Sequence, residues 1–128
     1  MMMIKRLLHT RLRVSDLNQA LYFFTEVLGL QVTEQHESPR GSKLAFLSVP
    51  GSQEEIELCE YQPSGPVQVQ EDLVHLAFEV NHLDTMLVYL KSKGVPITDG
   101  PTVSSSGSRF AFIEAPDKYE IELIERPR

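Results

Sequence analysis

Two histidines and two glutamates of this chain combine the residue types and the spacing that a divalent metal requires. His9 and His75 each lie in an alternating segment, Leu8-His9-Thr10-Arg11-Leu12-Arg13-Val14 and Val74-His75-Leu76-Ala77-Phe78-Glu79-Val80. Glu57 and Glu122 each lie between apolar residues, in Ile56-Glu57-Leu58 and Ile121-Glu122-Leu123. On a strand, residues i and i+2 share a face, so both glutamates point away from the apolar side, as do both histidines. A carboxylate on a carbon-rich strand is costly to bury alone, and a cation removes that cost. Imidazole nitrogen with carboxylate oxygen suits zinc, nickel, cobalt or manganese, with open positions in an octahedral shell for water or substrate. Singly, a strand histidine is more often a satisfied side chain, and a strand glutamate more often marks a wet face. The spacing is what joins the four: the His-to-Glu separations are 48 and 47 residues (57 − 9 and 122 − 75).

The elements that must position these residues are written twice. Laying Leu7 onward over Leu73 onward, an offset of 66 (73 − 7), superposes His9 on His75, Leu17 on Leu83, Leu21 on Leu87, Phe24 on Leu90 and Ala45-Phe46 on Ala111-Phe112. After a one-residue slip, Gly29 meets Gly94 and Ile56-Glu57-Leu58 meets Ile121-Glu122-Leu123. Two copies are too few for a solenoid and point to one pseudo-symmetric domain. Each copy opens with a strand alternating apolar and polar residues. A helix follows, with Leu17, Ala20, Leu21, Phe24, Val27 and Leu28 at three-four spacing between Ser15-Asp16 and Gly29, and its twin carries Leu83, Met86, Leu87 and Leu90 before Gly94. Strands are then expected around 31–34, 44–49 and 55–61, and again around 97–99, 109–114 and 120–125.

The fold class is therefore α+β, two tandem βαβββ modules over about 5–62 and 73–126 with a linker over about 63–72. Gly100 to Ser108, rich in glycine and serine, reads as an exposed loop. His36 and His82 have no histidine twin and read as surface residues; Glu54, Glu55, Glu60, Glu120 and Glu125 read as solvated or edge carboxylates.

At 128 residues the chain is long enough to bury a core without disulfides or metal as staples. Its net charge of -6 and the lack of clustered Lys and Arg exclude a nucleic-acid surface. The single cysteine, Cys59, stands in an apolar run, which is expected of a buried thiol in a reducing compartment, the cytoplasm. No stretch has the pattern of a signal peptide or the length of a membrane span.

The chain resembles the vicinal oxygen chelate superfamily and, within it, the short bacterial glyoxalase I (lactoylglutathione lyase) branch. The resemblance runs over nearly the whole chain through Leu7-Leu8-His9-Thr10-Arg11-Leu12-Arg13-Val14, Phe24-Thr25-Glu26-Val27-Leu28-Gly29-Leu30, Ile56-Glu57-Leu58, His75-Leu76-Ala77 and Tyr119-Glu120-Ile121-Glu122-Leu123-Ile124-Glu125. It implies a curled mixed sheet around a metal site with His9, Glu57, His75 and Glu122 as ligands, nickel as first choice, then zinc or cobalt, and a homodimer with sites at the subunit interface. It implies isomerisation of a methylglyoxal-thiol hemithioacetal to a lactoyl thioester. Glu122 is then the general base and Glu57 handles the return proton, beside a Lewis-acidic ion. Arg13, on the face of His9, corresponds to an arginine that holds a glutathione carboxylate, and a guanidinium can grip an anion with two parallel hydrogen bonds. The chain departs from the branch with Tyr61 in place of an asparagine, with serines around Ser104 to Ser106 in place of Lys-Gly, and with Ala115-Pro116-Asp117-Lys118, whose lysine replaces a glycine. The first two departures remove glutathione contacts and leave the thiol open.

Other readings share the scaffold. A methylmalonyl-CoA epimerase-like enzyme generally carries Gln at the position of Glu57. Thiol transferases and extradiol dioxygenases generally use two His and one Glu, and small-molecule binding modules on this fold typically lose the ligands. All four ligands together favour the isomerase.

Overall fold

A computed structural model of the chain describes residues 1–128 and divides them into two compact units, Met1–Val67 and Gln68–Arg128. The first unit contains β1 (His9–Arg13), α1 (Leu17–Leu21) continuing into wider turns over Tyr22–Val27, β2 (Gln31–Glu37), β3 (Lys43–Ser48) and β4 (Glu55–Glu60). The second contains β5 (His75–Glu79), α2 (Leu83–Ser92), β6 (Ile97–Val103), β7 (Arg109–Glu114) and β8 (Glu120–Glu125). Each is a βαβββ module with a four-stranded mixed sheet, in the orders β1-β4-β3-β2 and β5-β8-β7-β6. The opening strand pairs parallel with the last one, and the others pair antiparallel. The α+β class and the duplicated pattern hold. No helix is long and apolar enough to cross a membrane.

Apolar residues of each module collect between its helix and its sheet. Leu17, Ala20, Phe24 and Val27 are buried with Leu12, Leu47 and Leu58 in the first unit, and Leu83, Leu87 and Leu90 with Ile113, Ile121 and Leu123 in the second. The first helix does not keep the regular winding its spacing predicts. Leu28 N–H donates to the carbonyl five residues back, on Phe23, at 3.0 Å, while the Thr25 hydroxyl donates to the Leu21 carbonyl at 2.6 Å. Such back-bonding within a helix favours bending and widened turns. The looser winding rotates Phe23 into the core, edge-on to Phe24 with ring centroids 5.2 Å apart, and leaves the expected core residues Leu21 and Leu28 only half-buried.

The second departure lies in β6. The stretch expected as a loop over 100–108 is strand as far as Val103, and only a tight turn remains, closed by Ser104 N–H to Ser108 O at 2.7 Å. The pairing of β6 with β7 shifts register twice, at Asp99 and before Thr102, so the strand accommodates Gly100-Pro101 as a bulge. Glycine is required there, because a Cβ at Gly100 would lie 2.8 Å from the Phe110 carbonyl oxygen.

Candidate metal centre

The structure gathers the four candidate ligands as two equivalent pairs, one in each unit. In the first, His9 opens β1 and Glu57 lies in the neighbouring β4, with His9 Nε2 at 4.0 Å from Glu57 Oε1. In the second, His75 opens β5 and Glu122 lies in β8, with His75 Nε2 at 3.2 Å from Glu122 Oε1. The parallel register aligns Arg11 with Glu57 and Ala77 with Glu122. In a parallel sheet this places each histidine two residues before its glutamate's partner, on the same face. From the third strand, Phe46 is in register with Glu57 and Phe112 with Glu122. Each phenylalanine meets its histidine edge-on at 5.3 Å between centroids. An aromatic ring so placed limits the imidazole's rotation and holds it toward the carboxylate. No group of three or more His, Cys, Asp or Glu side chains able to hold a metal occurs within the chain.

Repetition ends at the residue between histidine and glutamate. The Arg11 guanidinium donates from Nε to Glu57 Oε1, the same oxygen that faces His9. This hydrogen bond holds the Arg11 pKa above the ordinary arginine value, against a smaller lowering by desolvation. Glu57 is only 3% exposed, so the wet-face reading of it fails and its charge is matched by Arg11. At the equivalent place the second unit has Ala77, an exposed residue. The side chain of Glu122 keeps 18% exposure and borders a recess of about 510 Å³ lined by Ser104, Ser106, Ser108, Phe110 and Arg126.

Arg13 lies further along β1 and donates to the carbonyls of Gly65 and Pro66 at 2.7 and 3.2 Å. With Tyr61 it lines a recess of about 300 Å³. His36 lies 3.2 Å from Glu34 with its side chain 44% exposed, and His82 is exposed at the start of α2. Two carboxylates expected to be solvated have a structural task instead: Glu60 accepts the Leu17 amide at 2.8 Å, and Glu125 accepts the Leu83 amide at 2.7 Å. Free amides at a helix start attract an anionic acceptor, which sequence position alone does not supply. Arg11 was legible only as a face-mate of His9 and Arg13, and Phe46 and Phe112 only as the repeated Ala-Phe dipeptide.

The model of the Glyoxalase/Bleomycin resistance protein/Dioxygenase superfamily matches residues 6–123. The chain belongs to this superfamily. Among its superfamily relatives, lactoylglutathione lyase of Salmonella typhimurium is 34% identical over 94% of this chain and 92% of that enzyme. The trypanothione-dependent glyoxalase I of Leishmania major is 31% identical, with a TM-score of 0.79 over 95% of this chain and 87% of that one. The antibiotic-binding protein TnmS3 from Streptomyces shares the superfamily fold at a TM-score of 0.80 and 22% identity, covering 99% of this chain and all of the other (100%).

The donor set fits a divalent ion. Each superfamily module presents one imidazole nitrogen and one carboxylate oxygen on the same face, and Glu57 carries its charge almost out of water, a placement that calls for a cation.

Proposed function

We propose that the chain is a glyoxalase I-like isomerase that converts the hemithioacetal of methylglyoxal and a thiol into a lactoyl thioester. His9, Glu57, His75 and Glu122 are its metal ligands, for nickel first, then zinc or cobalt. The active form is a cytoplasmic homodimer, in which the βαβββ modules act as one domain and two copies of the chain complete each four-ligand shell. The observation that carries this reading is the repeated His–Glu–Phe arrangement, which occupies the same sheet positions in both units. The lactoylglutathione lyases among its relatives support it further.

The reaction moves one proton between adjacent carbons and gains or loses no atoms. A bound divalent ion supplies Lewis acidity for the negative charge that develops on oxygen. Glu122 removes the proton from the carbon bearing sulfur. Its Oε1 has His75 beside it and no guanidinium, and it borders an open recess. Glu57, whose Oε1 is occupied by Arg11, is the poorer acceptor and returns the proton to the neighbouring carbon. Arg13 holds an anionic group of the thiol, in the recess it shares with Tyr61.

The test is thioester formation from methylglyoxal with glutathione, and in parallel with other low-molecular-weight thiols, using apo protein reloaded with nickel or zinc. Turnover that disappears in Glu122→Gln is the expected result. Stoichiometric metal with no turnover on any thiol adduct would overturn the isomerase reading.

A further inference from the structure

The duplicated module supplies an internal control for one residue that the reaction does not use. The two His–Glu pairs share strand position, histidine and phenylalanine, and differ in Arg11 against Ala77. Arg11 Nε donates to the oxygen of Glu57 that faces His9. A metal that takes Oε1 of Glu57 must therefore displace the guanidinium, and it then lies close to a positive charge that stays on the same strand. The displaced side chain has somewhere to go, being 52% exposed.

The geometry points to Arg11 as a built-in competitor for the metal: a positioning residue that holds Glu57 whenever the ion does not, and so makes the two half-sites unequal. His75 and Glu122 form the firm half. Glu57 exchanges between the ion and Arg11, and the guanidinium keeps this buried carboxylate compensated while it is off the metal. This inference rests on the metal reading given above.

Nickel or zinc binding to apo protein, measured by competition with a chromophoric chelator, tests it without recourse to activity. Arg11→Met removes the competitor, and the metal Kd is expected to fall about tenfold, since one like charge removed from ligand distance is worth about that much. Arg11→Lys keeps the charge without the planar fork and is expected to fall between Arg11→Met and the native chain. Ala77→Arg transplants the competitor beside Glu122 at an exposed position and is expected to weaken binding by a similar factor. Because Arg11→Met leaves Glu57 uncompensated, thermal melting is followed with and without metal, and the metal-induced rise in Tm should be larger than in the native chain. Equal Kd values in the native chain and Arg11→Met would overturn the inference and leave the metal reading standing. Absence of binding in native, Arg11→Met and Ala77→Arg proteins alike would overturn both.

Discussion

The Glu60 carboxylate, at the end of β4, accepts the amide of Leu17 at the start of α1, 2.8 Å away. The repeat reproduces the bond between Glu125 and Leu83 at 2.7 Å. Each module thus ties its helix to the last strand of its own sheet by a charge-assisted hydrogen bond to a helix N-terminus, where an anion is favoured. Glu60→Ala and Glu125→Ala are each expected to lower stability by about 1–2 kcal/mol, in the range of hydrogen bonds to charged groups. The glutamines, which keep a neutral acceptor, should lose less. Urea denaturation measures both, and an alanine variant as stable as the parent would show that the bond contributes nothing.

Lys118 is held at φ +66°, directly after Asp117 at +65°. A side chain in the left-handed region costs about 1–2 kcal/mol relative to ordinary backbone, a cost glycine avoids, at the expense of more entropy lost on folding. Lys118→Gly is expected to stabilise the chain by about 1 kcal/mol net, a rise in Tm of about 4 °C for a chain of this size. Calorimetry checks the sign; a fall in Tm would show that the lysine makes a compensating interaction.

Much of the site was legible because period-two alternation is written directly into the chain. His9, Glu57, His75 and Glu122 could be assigned to faces from their neighbours, and the repeat joined them into two pairs before any coordinates were known. The pairing of Arg11 with Glu57 was not legible. It depends on the parallel register of β1 against β4, which brings together residues 46 apart in sequence, and a register one residue away would put Arg11 elsewhere. The tail of β6 was hidden for a different reason. Gly100-Pro101 reads locally as a strand breaker, and only the close approach of the Phe110 carbonyl shows that the strand continues through a bulge. Burial of Phe23 in place of Leu21 was likewise invisible to three-four spacing, because the Thr25 hydroxyl alters the winding itself.

Glu122 and Glu57 should respond differently to loss of charge. Removing a general base costs about 10²–10⁴-fold in rate, so Glu122→Gln is expected to lower kcat and kcat/KM together by that order. Glu57→Gln, which alters a carboxylate already engaged by Arg11, should cost less. Metal content is measured in the same samples, so that lost ion is not mistaken for lost base. Equal losses at full metal occupancy would remove the distinction between the two carboxylates.

Arg13 is the remaining place where specificity can be read. Its guanidinium is oriented by the Gly65 and Pro66 carbonyls, at 2.7 and 3.2 Å, and it lines a recess with Tyr61. Carbonyl acceptors hold the fork in place without cancelling its charge, so an anionic group entering the recess meets a positioned cation. Arg13→Met is expected to raise KM by about tenfold for the hemithioacetal of a carboxylate-bearing thiol such as glutathione, with kcat little changed, the pattern of an interaction made equally in ground and transition states. The adduct of a thiol without a carboxylate should show no such rise. Stability is followed in parallel, because losing both carbonyl bonds also loosens the segment after β4. An equal rise in KM for charged and uncharged adducts would assign Arg13 to holding Gly65 and Pro66 alone, and would move anion recognition to Arg126 and the serines beside Glu122.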